Sequence, residues 1–233
     1  MQYNKIPKYN LAFYTCFYGS ENNPAFKIPK IPSDKYDCYY FTNNKKILDM
    51  TKETRWLGVY DNKPVTDDII ESCMYGKYIK VLPNNTLLQK YAYTCFLDSK
   101  LDKISDTRIE YLITKYMVNM DKALLLREHE FVKTANIWNE YNESLLQERY
   151  TKQKDKMLKY IHDKLENGFK ETISTHGQCG LLIRNMNHPL ISQINKSWYL
   201  NIQECGIQDQ ISFFFVKQLY EKYIYNFKEY PFT

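Results

Sequence analysis

The sequence predicts an α/β fold with a central, mostly parallel mixed sheet flanked by helices. Short apolar and aromatic runs without polar alternation recur along the chain, the pattern of strands covered on both faces. Between them lie stretches with helical spacing and capping residues, and such alternation argues for a layered α/β sandwich. A third observation places the chemistry. The apolar run at 91–97 ends on Asp98, with Lys100 two residues on. A soluble core has no use for a carboxylate there. Ligands of α/β sheets bind in the crevice beyond the carboxyl ends of parallel strands.

The elements follow in order. Residues 11–19 (LAFYTCFYG) read as a buried first strand that ends at a glycine. The loop to Pro32 carries Pro24, Pro29 and Pro32 and reads as irregular. Residues 37–42 are a second strand, closed by Asn43 and Asn44, and residues 56–60 a third. A helix is predicted over 67–79, with Asp67 as its cap and Ile70, Cys73, Met74 and Lys77 at helical spacing. The strand ending at Asp98 comes next, then a helix around 104–117 and a short strand at 124–126. Residues 137–167 read as a charged amphipathic surface helix or helix pair. Ile137, Tyr141 and Leu145 recur at fours, then Leu158, Ile161 and Leu165 at threes and fours. Lys152, Lys154, Lys156 and Lys159 are interspersed with Glu148, Asp155 and Asp163, as on a solvated face. A strand at 180–184, a helix at 198–204 and a last helix opened by Asp209 complete the chain. No repeat or linker interrupts it, so residues 1–233 are read as one domain, with 137–170 a charged helical excursion.

Composition narrows the function classes. The chain has 233 residues, 44% hydrophobic and 25% charged, as in an ordinary globular enzyme. There are 7 glycines and no GxGxxG or GxxxxGK[ST], which excludes the common glycine-rich phosphate loops. The net charge of +5 comes from lysines dispersed among acids. A nucleic-acid binder concentrates such charge in a stripe, so no nucleic-acid partner is expected, whereas a diphosphate ligand suits a mild positive balance. The 6 cysteines (Cys16, Cys38, Cys73, Cys95, Cys179, Cys205) form no CxxC pair, which argues against a zinc ribbon and for reduced core thiols. The first residues contain no apolar signal core, and no segment reaches transmembrane length. A cytoplasmic protein without signal peptide or transmembrane segment is expected.

Two acidic positions organise the candidate site. Asp98, Lys100 and Asp102 share one face if extension continues past the strand. An ionised Asp98 can bind a divalent cation that bridges two phosphates; the plainer alternative is a surface turn with an Asp–Lys pair. Gln208-Asp209-Gln210-Ile211-Ser212 opens an aromatic helix. Asp209 there is either a charge held ionised by the helix dipole or an N-cap. Glu128-His129-Glu130 reads as a polar strand-end turn.

In the order Tyr14-Thr15-Cys16-Phe17-Tyr18-Gly19, Cys38-Tyr39-Tyr40-Phe41-Thr42-Asn43, Trp56, Lys77-Tyr78-Ile79-Lys80-Val81-Leu82-Pro83, Phe96-Leu97-Asp98-Ser99-Lys100 and Gln208-Asp209-Gln210-Ile211-Ser212-Phe213, the sequence resembles one family. It is the GT-A-fold glycosyltransferase-like family of plants (mucilage-related proteins), bacteria and large viruses. The resemblance runs over about residues 10–220 and covers 137–170 poorly. It implies a GT-A-like domain that transfers a sugar from a nucleotide-sugar donor, a UDP-sugar above others, to a glycan or glycoprotein acceptor. Tyr14, Thr15 and Phe17 would lie beside the nucleobase and ribose, and Thr42 and Asn43 would face the nucleoside. Lys77 and Lys80 would approach the diphosphate. Asp98 would be the first acid of the DxD motif and the ligand of Mn²⁺ or another divalent cation. Asp209 and Gln210 would face the acceptor or the anomeric carbon. The sequence departs from the family in having Lys100 where DxD has its second acid, and a lysine can itself neutralise a diphosphate. Two alternatives stand beside the transferase. One is a catalytically inactive sugar-nucleotide- or glycan-binding relative, which Lys100 supports and Asp98 and Asp209 oppose. The other is a metal-dependent hydrolase, whose HxH and HExxH motifs are absent.

Overall fold

Seven strands line up in one sheet in this computed structural model, which describes residues 6–99, 104–129, 135–229 and 231. They are β1 (Leu11–Phe17), β2 (Asp37–Thr42), β3 (Leu57–Tyr60), β4 (Tyr93–Leu97), β5 (Leu124–Glu128), β6 (Gly177–Asn185) and β7 (Ile224–Phe227), in the order β3-β2-β1-β4-β6-β5-β7. β1 pairs in parallel with β2 and β4, β2 with β3, and β5 with β7. Only β6, between β4 and β5, runs against its neighbours. This is the mostly parallel mixed sheet that the apolar runs predict.

The helices are α1 (Lys45–Thr51), α2 (Ile69–Val81), α3 (Asp106–Leu112), α4 (Ile137–Ser144), α5 (Glu148–Thr151), α6 (Lys154–Glu166), α7 (Ile191–Cys205) and α8 (Asp209–Leu219). α3 continues into a wider π-helical turn over Ile113–Val118. Successive strand residues point to opposite faces. Tyr14, Phe41, Phe96 and Leu182 pack with Ile79, Val81, Ile194 and Trp198 from α2 and α7. Phe13, Tyr40, Cys95 and Ile183 pack on the other face with Ile109, Leu112 and Ile113. Both faces are covered, which is why these strands read as unbroken apolar runs.

Several boundaries differ from the sequence expectation. β3 begins at Leu57; Trp56 is buried instead, its indole N–H donating to Pro29 O at 2.9 Å. α2 is capped by Asp68, which accepts from Ile70 N at 2.7 Å and Glu71 N at 3.1 Å. Asp67 instead takes the Ser20 hydroxyl and Asn22 Nδ2. α1 and β7 have no counterpart in the sequence reading, and α7 begins at Ile191, ahead of the expected 198. The charged stretch 137–167 is three helices, and it is not merely a surface layer. Ile137, Met157, Tyr160 and Ile161 are buried against Ile211, Phe214 and Phe215 of α8. No helix among the described residues is long and apolar enough to cross a membrane.

Candidate active site

β1 has β2 on one side and β4 on the other, so the chain leaves β1 in one direction and returns on its far flank. Such a reversal of strand order opens a crevice at the carboxyl ends of the two strands. A cleft of about 570 Å³ lies there. Thr15, Cys16 and Phe17 of β1, Phe96 and Asp98 from the end of β4, and Gln178 to Gly180 of β6 line its base. α2 supplies Lys77 and Lys80 to one wall, and the α4–α5 region supplies Glu140, Glu143 and Arg149 to another. Gln208, Asp209 and Gln210 also line it.

The two acidic positions meet through one lysine. Asp209 is the first residue of α8 and only 3% exposed. Its Oδ2 lies 2.8 Å from Lys77 Nζ and 2.7 Å from Lys80 Nζ. Both contacts are close, buried ion pairs. Lys77 and Lys80 reach one carboxylate because residues three apart share a helix face. Burial alone would push the Asp209 carboxyl up. Lys77 and Lys80 more than reverse this and hold it at about 2. Burial likewise disfavours the charged Lys80, but Asp209 and then Asp98 raise it well above the usual lysine range. Lys80 Nζ also stands 4.0 Å from Asp98 Oδ1 and 5.0 Å from the centroid of the Phe96 ring. Asp98 is anchored by its backbone N–H to Gly180 O at 2.8 Å, and its side chain remains 38% exposed.

The structure brings Thr15, Phe17, Lys77, Lys80, Asp98, Asp209 and Gln210 into the cleft and leaves three other candidates outside its lining. Tyr14 is fully buried within β1, away from the strand end. Its hydroxyl donates to Lys80 O at 2.8 Å and accepts from Arg184 Nη1 at 3.0 Å, so it supports the end of α2 from behind. Thr42 and Asn43 are also buried. Asn43 Oδ1 accepts from Gly19 N at 3.1 Å and Nδ2 donates to Pro64 O at 2.6 Å, while Thr42 Oγ1 accepts from Asn44 N at 3.0 Å. These residues fix the turn after β1, where Gly19 adopts φ +120°, a conformation strained for any side chain. Thr15 presents a buried hydroxyl with no hydrogen-bond partner among the described residues, and Phe17 packs edge-on against Phe26 with centroids 5.6 Å apart. Lys100 and Asp102 lie outside the described residues. Asp209 does not act as a side-chain cap: Gln208 holds the N-cap position, and the Asp209 carboxylate turns to the lysines.

Among the cleft residues that escaped the sequence reading, one is a buried carboxylate. Glu140 of α4 is 2% exposed, and its Oε1 accepts from Gln208 Nε2 and Gln210 Nε2, each at 3.0 Å. Its Oε2 accepts from His176 Nε2 at 2.9 Å and lies 3.8 Å from His129 Nε2. The two imidazoles stack with centroids 5.5 Å apart. Burial pushes the His129 ring below the usual histidine range, against the opposing pull of Glu140. The signal was present in the sequence: Glu140 follows Ile137 by three residues, which puts a carboxylate on the buried stripe of α4.

Lys77, Lys80 and Arg149 face Asp98, Glu140, Glu143 and Asp209, so the described lining has three cations against four carboxylates. Among the described residues no group of three or more His, Cys, Asp or Glu side chains is disposed to hold a metal ion.

No protein-family model and no curated protein matches the sequence. Solved structures do. Mouse xyloside xylosyltransferase 1 in its apo form is similar with a TM-score of 0.54 at 9% identity, over 94% of this chain and 84% of that one. A 4-diphosphocytidyl-2C-methyl-D-erythritol synthase from Anaerococcus prevotii gives 0.47 at 9% identity, over 96% and 88%. The mannosyltransferase Ktr4p of S. cerevisiae gives 0.43 at 11% identity, over 91% and 63%. The likeness to the xylosyltransferase shows a shared fold, the GT-A-like architecture.

Proposed function

We propose that this chain is a glycosyltransferase that takes a sugar from a nucleotide-sugar donor, a UDP-sugar above others, and passes it to a hydroxyl of a glycan or glycoprotein acceptor. The observation that carries this reading is the open carboxylate of Asp98 beside the Lys77–Asp209–Lys80 group, in a cleft at the point where strand order reverses. The fold shared with a xylosyltransferase and the ordered sequence motifs support it.

In the transfer, the bond between the anomeric carbon and the phosphate oxygen breaks, with its electron pair leaving on the phosphate. The acceptor oxygen bonds to the anomeric carbon and loses its proton. Negative charge gathers on the departing diphosphate, and fixed positive groups beside it lower the barrier. Lys77 and Lys80 serve here, held in place by Asp209. Their charge is already offset by that carboxylate, and the described lining has more acids than bases, so a diphosphate calls for further positive charge. A divalent cation such as Mn²⁺ would supply it. Asp98, a carboxylate still 38% exposed at the cleft, is the described residue that would hold such an ion. Lys100 is the second source of charge. Thr15 and Phe17, which line the cleft, would face the nucleoside, while Tyr14, Thr42 and Asn43 would act from behind the cleft. Asp209, held at about 2 by two ammonium groups, has little affinity for the acceptor proton. A retaining transfer fits better, with the leaving phosphate taking the proton and Gln210 beside the anomeric carbon.

The neutralised Asp209 also favours a second reading, a sugar-nucleotide-binding protein without turnover. Release of UDP from a panel of UDP-sugars, with glycan acceptors and Mn²⁺, separates the two. The transferase reading expects UDP release that depends on the acceptor. Donor binding without any release selects the second reading, and no donor binding sinks both.

A further inference from the structure

The two amide atoms of Gln210 occupy different surroundings. Nε2 donates to Glu140 Oε1 at 3.0 Å, whereas Oε1 has no hydrogen-bond partner among the described residues. A carboxylate has only acceptor oxygens, so it receives the NH₂ edge of an amide and repels the carbonyl edge. Flipping the amide would put oxygen against oxygen and strip a buried carboxylate of a donor. Glu140 itself has little freedom. Gln208 Nε2 donates to its Oε1 at 3.0 Å, Ser144 Oγ stands 3.3 Å from the same atom, and His176 Nε2 donates to Oε2 at 2.9 Å. The carboxylate is a fixed acceptor, and the carbonyl oxygen of Gln210 is turned away from it.

We propose that Glu140 is a positioning residue: it fixes the amide of Gln210 so that the carbonyl oxygen, and not the NH₂ group, is presented to the donor sugar in the cleft. Positive charge develops on the sugar as the diphosphate departs, and a preset carbonyl dipole stabilises it, whereas an NH₂ group in the same place would oppose it. No bond to Gln210 is involved. The role of this dipole in transfer rests on the glycosyltransferase reading; the orientation of the amide does not.

Two readouts on the full chain keep these apart. In ¹⁵N-labelled protein, the side-chain NH₂ of Gln210, assigned by its loss in Gln210→Met, is expected to exchange slowly with solvent. It should lose that protection in Glu140→Gln and keep it in Glu140→Asp. An unprotected NH₂ in the wild-type protein overturns the proposal with no variant needed. In kinetics, Glu140→Gln is expected to lower kcat tenfold to a hundredfold, with donor KM and UDP affinity changed by less than about twofold. Adding Gln210→Glu to Glu140→Gln swaps donor and acceptor across the contact and should recover part of kcat. Equal loss of kcat and of UDP affinity, without recovery in the swap, would mean a general structural role and sink the proposal. Wild-type protein that transfers no sugar sinks the transferase reading, and the exchange measurement then decides alone whether Glu140 sets the amide.

Discussion

Replacing Asp209 by Asn removes one charge from a buried group of three and keeps its shape. Two ammonium groups would then stand 2.8 and 2.7 Å from the position of a neutral amide, with side chains only 14% and 6% exposed. Breaking a buried ion pair from one side costs about 3–5 kcal/mol, because a desolvated charge is left behind. The native carboxyl points the same way. It sits at about 2 against an unperturbed 3.8, which corresponds to a stabilisation on the order of 2 kcal/mol. The expected loss is about 3 kcal/mol, read by urea denaturation as a lower midpoint at unchanged slope. In a thermal melt it corresponds to roughly 6–12 °C for a chain of this size. The pH dependence has a definite sign. The folded carboxyl titrates below the unfolded one, so the unfolded chain takes up the proton first as acid is added. The stabilisation is full above about pH 4 and is lost as pH falls toward about 2. Asp209→Asn should lack this part of the acid limb. A variant that melts with the wild type and keeps the same acid limb would refute the two-lysine clamp.

Tyr14→Phe leaves Lys80 O and Arg184 Nη1 without their shared hydroxyl and should cost about 1–3 kcal/mol by denaturation, with UDP affinity changed little. A large loss of affinity at unchanged stability would instead put Tyr14 in contact with the ligand. Burial pushes the Lys217 ammonium down to about 8, while its Nζ donates to Thr175 O at 2.5 Å. Between about pH 8 and 10.5 the unfolded chain therefore binds more protons than the fold, and stability should rise with pH. Lys217→Met should flatten that rise, and an unchanged slope in the variant would rule out Lys217 as its source.

The strands were legible where burial on both faces left an unbroken apolar signal, as in β1, β2 and β4. β7 was not, because its four residues lie at the sheet edge between the charged Lys222 and Lys228. Residues 137–166 gave a correct helical period, but a period reports that a helix has an apolar face, not what covers it. The partner, Phe214 and Phe215 of α8, is distant in sequence. Asp98, Lys77, Lys80 and Asp209 were each readable as charges at element ends. Their union was not, since it depends on how α2 and α8 pack. Tyr14, which the resemblance put beside the nucleobase, lies outside the cleft lining because β1 runs on to Phe17, and the resemblance carries no strand end. Thr42 and Asn43 do lie at a strand end, but β2 is one strand removed from the β1–β4 crevice. Glu140 was hidden in a stretch dominated by solvated charges.

The central claim is that the cleft binds a nucleoside diphosphate with the help of Asp98. It is tested most directly by calorimetric titration of the wild-type chain and Asp98→Asn with UDP, GDP and CMP, each with and without Mn²⁺. The account predicts one UDP site with affinity well above that for GDP and CMP, tightened by Mn²⁺. Asp98→Asn should lose the tightening at a melting temperature nearly unchanged, since a half-exposed side chain contributes little packing. Equal or absent binding of the three nucleotides, or the same Mn²⁺ effect in Asp98→Asn, would contradict it.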